Sequence, residues 1–271
     1  MTPSLGRDHH HIDPTNYLSH MQPCANCGQV FDSDFCPKCG QKRSVQGIRL
    51  GEVVGDFASG LFNVDAPILR TFREFIVAPG KLTRAFLAGK RKAYTPPVRY
   101  FLFGIAYYFI MRWLLNWDPV DSAVEATIGI PAAETSMMRV NHWMSRNVNL
   151  LIPIWLIMLA TFDRALFPRT TLRWVERLIH YLFAAGTYLM VSTTLIPLIK
   201  LFPSLQLINF FVIFSLIIWA CIALHQRTVW NVIKAVVMVP LSFILYVFIC
   251  TVIVSLGLGI PLGEVFVRPA Q

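Results

Sequence analysis

"LQLINFFVIFSLIIWACIAL", residues 205–224, contains no Asp, Glu, Lys or Arg. A helix rises about 1.5 Å per residue, so this run is long enough to cross a hydrocarbon core of roughly 30 Å. Only a helix satisfies its own backbone N–H and C=O groups there, so the stretch predicts a transmembrane helix. A second uncharged run follows at Ala235–Leu258, and three other mostly apolar stretches lie upstream: Val98–Leu115, Leu178–Ile199 and Val148–Phe162, the last extendable to Phe167. The chain as a whole is 55% hydrophobic and 14% charged, against about 25% charged for soluble domains. The expected fold is therefore an all-α polytopic membrane protein with about five transmembrane helices over residues 98–260.

Aromatic and basic residues place the ends of these spans. Tyr100, Trp113, Trp117, Trp143, Trp174 and Trp230 fall near predicted boundaries, where amphipathic rings settle at headgroup depth. Arg112, near the end of the first span, must snorkel or face protein. Pro153, Pro197 and Pro240 lie within or near spans, where kinks are commoner than the broken helices of transporters. Basic residues gather before the first span, in the loop holding Arg164, Arg169, Arg173 and Arg177, and at Arg227 and Lys234. The loop 116–147 instead carries Asp118, Asp121, Glu125 and Glu134 against Arg139 and Arg146. The positive-inside rule then puts the N-terminus in the cytoplasm and, after an odd number of spans, the C-terminus and a short tail over 261–271 outside. The net charge of +9 points to an anionic membrane surface, not to nucleic acid.

The first 20 residues, "MTPSLGRDHHHIDPTNYLSH", lack the apolar core of a secretory signal and read as a disordered tail. Met21 offers a later start, which would leave His9, His10 and His11 outside the protein. Residues 21–43 hold four of the six cysteines as Cys24-x2-Cys27 and Cys36-x2-Cys39, each pair followed by glycine. Each pair is a knuckle that directs two sulfurs at one ion, and the glycine permits the positive φ that turns backbone amides toward them. Four thiolates close a tetrahedral shell, which suits structural Zn²⁺ and leaves no position for a catalytic water. Two disulfides are the alternative, disfavoured in a reducing cytosol. So short a segment cannot bury enough surface to fold alone, so the metal would supply its folding free energy, with Phe31 and Phe35 as a small core. The loop between the knuckles is acidic, which argues against a phosphate-bearing partner. A zinc ribbon serving as an adaptor or cap is the expectation.

Residues 44–97 lack the length to cross but repeat a helical pattern. Leu50, Val53, Val54, Phe57 and Leu61 share one face; Asp65 and Pro67 begin a second helix carrying Ile68, Leu69, Phe72, Phe75 and Ile76, which Pro79 and Gly80 stop. These amphipathic helices either lie along the inner leaflet, offering Arg70, Arg73, Lys81 and Arg84 to lipid phosphates, or pack under the bundle. "GKRKAYTPPVR", residues 89–99, then sets a cationic cluster before the first span. Lys90, Arg91, Lys92, Tyr94 and Arg99 are candidates for binding anionic headgroups.

"CANCGQVFDSDFCPKCGQK", "TFREFIVAPG" and "FLAGKRKAYTPPVRYFLF", with a looser match at "WVERLIHYLFAAGTYL", resemble a bacterial membrane family known only as domain of unknown function 3667. The resemblance is sharp over roughly the first 115 residues. It implies a zinc-ribbon head on a small helical domain of the bacterial inner membrane and supplies no activity. The family's pattern has a histidine directly after the glutamate matching Glu176, where this chain has Arg177, with His180 a turn later.

Ionisable residues at membrane depth are costly and often functional. Asp163, Arg164, Glu176, Arg177, His180 and His225 all map to the inner ends of spans two to four, a possible polar membrane site, and Glu176 and His180 share a helical face. Cys221 and Cys250 read as lipid-facing or core residues, and no nucleophile elbow, phosphate loop or HExxH occurs. The sequence thus favours a non-enzymatic scaffold or regulator that docks a cytosolic or membrane protein and touches anionic lipid. A small transporter or lipid-handling protein is the second reading and a membrane-bound enzyme the third.

Overall fold

The computed structural model describes residues 21–43, 67–121 and 135–266; the expected N-terminal tail, the histidine triplet and the Leu50–Leu61 face lie outside them. The head is a pair of knuckles on minimal β structure. Strands β1 (Gln22–Pro23) and β2 (Val30–Phe31) pair antiparallel around the first knuckle, and a single Phe35–Lys42 bridge closes the second. The two knuckles are copies offset along the chain, since Pro23 pairs with Val30 as Phe35 pairs with Lys42. Phe31 is buried against the cysteines, but Phe35 is 58% exposed, so the small core holds one of the two expected rings.

Helix α1 (Pro67–Val77) ends where expected, because the residue before a proline is pushed out of helical conformation. Pro79 and Gly80 do not end helical structure, however. Pro79 lacks the N–H that a first turn leaves unpaired and so opens α2 (Pro79–Leu87), a helix the sequence pattern did not show. Gly89, at φ +99°, ends α2 in a Schellman motif: its N–H reaches the Phe86 carbonyl and that of Lys90 the Ala85 carbonyl. Asn116 and Gly259 end two later helices in the same way.

Five helices are long and apolar enough to cross a membrane, as the sequence predicts. They are α3 (Pro97–Leu115), α5 (Val148–Leu166), α6 (Trp174–Leu201), α7 (Gln206–Leu224) and α8 (Val229–Gly257). Helices α5, α6 and α8 run through Pro153, Pro197 and Pro240 without breaking. The loop 116–147 contains a further helix, α4 (Ser136–Arg146), capped by the Thr135 hydroxyl, which accepts from the Met138 N–H. A short α9 (Leu262–Phe266) follows the last span, and Val265 joins Val140, Val254 and Ile260 in a satellite core.

Helix α6 is the axis of the bundle, with α3, α5 and α7 packed around it. Helices α3 and α6 approach through reciprocal glycines. A Cβ on Gly186 would lie 2.6 Å from the Tyr100 ring, and one on Gly104 2.9 Å from the Leu189 Cβ. In lipid, such small residues let dispersion contacts replace a hydrophobic driving force. Tyr100 and Trp117 are consequently core residues instead of interfacial anchors, whereas Trp113 and Trp230 stay largely exposed. Cys221 and Cys250 are fully buried, which decides for the core.

The α1–α2 pair packs against one end of this bundle. Phe75, Leu82 and Phe86 are buried, with Phe75 and Phe86 against Phe183. This is the packing against the bundle that the sequence offered as one of two dispositions. Arg84 is not left to lipid phosphates, because its Nη2 donates to the Leu224 carbonyl at 2.7 Å, capping the C-terminus of α7.

Candidate metal centre and buried charge cluster

The four Sγ atoms of Cys24, Cys27, Cys36 and Cys39 lie within 4.8 Å of one another. The pairs Cys24–Cys39 and Cys27–Cys36 stand at 3.6 Å. That is far beyond a disulfide bond of about 2.05 Å, and close to the separation of about 3.8 Å between sulfurs in a zinc tetrahedron with 2.3 Å bonds. Gly28 and Gly40 take φ +78° and +68°, and their N–H groups return to the Cys24 and Cys36 carbonyls at 2.8 Å. This is the knuckle geometry the spacing predicts.

The thiols also differ in acidity. Burial raises the Cys39 pKa, but the Gln41 amide, the Asn26 side chain and neighbouring thiols bring it down to about 6. The Gln29 amide favours the Cys27 thiolate, yet burial and the other three thiols push its pKa up to about 11. One thiolate forms readily and the next is opposed by the crowd of sulfur. A divalent cation resolves that conflict, so the donor set fits one.

The two signature motifs of the N-terminal half touch. Gln41, directly after the second knuckle, is buried; its Nε2 donates to the Gly89 carbonyl at 2.7 Å and its Oε1 accepts from the Lys92 N–H at 3.1 Å. The head is thereby held on the turn that ends α2. Gly89 matters twice, since its left-handed backbone both stops the helix and presents that carbonyl.

Within residues 89–99 the structure separates the five candidates. Lys90 and Lys92 are exposed, and Arg91 and Arg99 are half-buried with interactions of their own. Tyr94 is buried, and its hydroxyl donates to Glu74 Oε2 at 2.7 Å. Burial and this bond to a carboxylate raise the Tyr94 pKa. Arg70 completes the group through a 2.8 Å ion pair with Glu74. The Thr95 N–H bonds to Thr71 Oγ1, so the segment is stitched along α1.

Of the six residues expected at the inner ends of the spans, the structure joins Asp163, Arg177 and His225. Arg177 is buried, and its guanidinium makes five hydrogen bonds. Nη1 meets Asp163 Oδ1 at 2.6 Å and the Asp163 carbonyl, Nη2 meets the Phe167 and Thr170 carbonyls, and Nε meets that of Leu172. All five donors are used. Asp163 also accepts from His225 Nε2 at 2.7 Å and from the Tyr181 hydroxyl at 3.1 Å. The His225 ring stacks on Phe167 at 3.9 Å, and its Nδ1 takes a bond from Thr170 Oγ1.

His180 lies one turn deeper, fully buried beside Phe75 and Tyr181. The Ala220 carbonyl at 3.0 Å holds its proton on Nε2, and Nδ1 faces the Thr83 hydroxyl at 2.7 Å. Glu176 is not brought to it. Its carboxylate turns back to the Arg173 N–H and caps the start of α6. Arg164 is exposed and outside the cluster. A further group, Asp118, Asp121 and His142, had no signal in the sequence because the loop and α4 supply it from separate segments. There Arg112 Nη2 pairs with Asp118 at 2.6 Å, which is where that membrane-depth arginine finds its protein partner.

No curated protein and no solved structure matches the chain. Residues 65–109, from just before α1 into α3, match the family described as Protein of unknown function (DUF3667), the one the sequence resembles.

Proposed function

We propose that this chain is a non-enzymatic scaffold or regulator of the bacterial inner membrane, with a cytoplasmic zinc ribbon that offers its exposed face to a protein partner. The observation that carries the reading is the use of the buried charges. Asp163, Arg177 and His225 spend their polar atoms on one another and on loop carbonyls, an arrangement that fixes a loop and offers no atom to a passing ion. The head supports it too, because a closed four-sulfur shell is structural in character and Gln41 ties it to the membrane domain. Phe35 and Val30, 58% and 48% exposed on the head, are the apolar contacts a partner would cover. Four clustered cysteine sulfurs support zinc as the ion, and the arginine-rich loop 164–177 supports the cytoplasmic side.

Full-length protein in vesicles loaded with a pH-sensitive dye tests the reading against transport. Scaffold behaviour gives the proton leak of empty vesicles; a flux that Asp163→Asn abolishes would establish the transporter instead. For topology, a membrane-impermeant maleimide should label Gly263→Cys in spheroplasts with an intact inner membrane and Arg169→Cys only after permeabilisation, and the reverse pattern would invert the layout.

A further inference from the structure

Between α1 and α2 lies a cavity of about 840 Å³ whose walls differ in chemistry. One side is cationic: Arg73, Lys81 and Lys90 line it, all three exposed and paired with no carboxylate among the described residues. Glu74 is the acid in its wall, and it is already engaged by Arg70 and Tyr94, so the local field stays positive. The other side is apolar, formed by Val77, Leu82 and Leu69, and Leu69 is 79% exposed, an unusual cost for a leucine facing water beside three cations.

We propose that this groove seats an anionic glycerophospholipid of the surrounding leaflet, its phosphate among Arg73, Lys81 and Lys90 and an acyl chain along Leu69 and Val77. Charge selects the anion, and the exposed leucine and valine select an amphiphile over a free phosphate. The place in the fold agrees, because the groove lies beside the residues that lead straight into the first span. Only Lys90 and Tyr94 of the basic segment line it; Arg73 and Lys81, from the helices before it, supply the rest of its charge. The site is independent of the partner-docking reading, and either stands if the other fails.

The test is a competition between phosphatidylglycerol and phosphatidylcholine for the purified full-length protein, read by native mass spectrometry of the retained lipid. Preferential retention of phosphatidylglycerol is expected. Replacing Arg73, Lys81 and Lys90 together by glutamine should cut it at least about tenfold. The control triple Lys38→Gln, Lys42→Gln and Arg169→Gln removes the same charge at exposed positions elsewhere and should leave it unchanged. Leu69→Asp, at an exposed position that folding does not depend on, should weaken retention as well. Equal loss in both triples would reduce the effect to diffuse surface charge and overturn the site. Displacement by inorganic phosphate would make it a soluble-anion site, and unaltered retention in Leu69→Asp would remove the acyl seat; either outcome overturns the lipid assignment.

Discussion

Arg177 shows what a single side chain does in this protein. A guanidinium with five donors in a rigid fork can hold four carbonyls and a carboxylate at once, which a lysine or histidine cannot. Arg177→Lys should therefore leave loop carbonyls unpaired beside Asp163 and cost about 3 kcal/mol or more, read as a lower unfolding midpoint of the purified protein. An unchanged midpoint would mean that the network is ornamental. Gln41 acts on the same scale. Its removal strands the Gly89 carbonyl and the Lys92 N–H, so Gln41→Ala should speed hydrogen exchange at the Lys92 amide by about tenfold, at about 1–3 kcal/mol per lost buried partner. The metal content should not change, because Gln41 holds the head in place and not the ion.

The helix pair α1–α2 carries the arguments that belong to elements. Gly80 lets α2 lie directly on α7: a Cβ there would fall 2.0 Å from the Ala223 carbonyl oxygen, a backbone atom that cannot move alone. Gly80→Ala should lift α2 off the bundle and cost about 1–3 kcal/mol, seen as increased proteolysis between the head and α3. The contact of α1 with the segment before α3 depends on pH through Glu74. Burial raises its pKa, but the Tyr94 hydroxyl and Arg70 outweigh this and hold it below the usual carboxylate value. A carboxyl with a lowered folded pKa stabilises fully above its unfolded pKa of about 4.3, and the contribution disappears as pH falls through the folded value. Glu74→Gln should remove that part of the acid dependence and nothing near neutrality. The effect stays below about 1 kcal/mol, since a side chain 39% exposed is well screened.

At the scale of the whole molecule, the head and the bundle rest on different forces. The bundle holds by close packing around α6, and on the proposed reading the head holds by an ion among its four cysteines, so Cys36→Ser with Cys39→Ser should release that ion and unfold residues 21–43 while all five spans remain inserted. Measured zinc, together with protease protection of the membrane domain, checks this; loss of the whole protein from the membrane would contradict it. The five helices and the knuckles were legible from residues alone, because their causes are local: an uncharged run must be helical in lipid, and CxxCG sets its own turn. Helix α2 was hidden, because Pro79-Gly80 is the same signal whether a helix stops or the next one begins. The partners of ionisable residues were hidden more deeply. Six such residues share the inner ends of the spans in the sequence, yet Glu176 turns to its own helix, Arg164 to solvent, His180 to the Ala220 carbonyl and Thr83, and Asp163, Arg177 and His225 to one another. Periodicity fixes which face of a helix a residue occupies, but which carbonyl or ring lies opposite depends on how separate helices pack, and that is settled only when the chain is assembled.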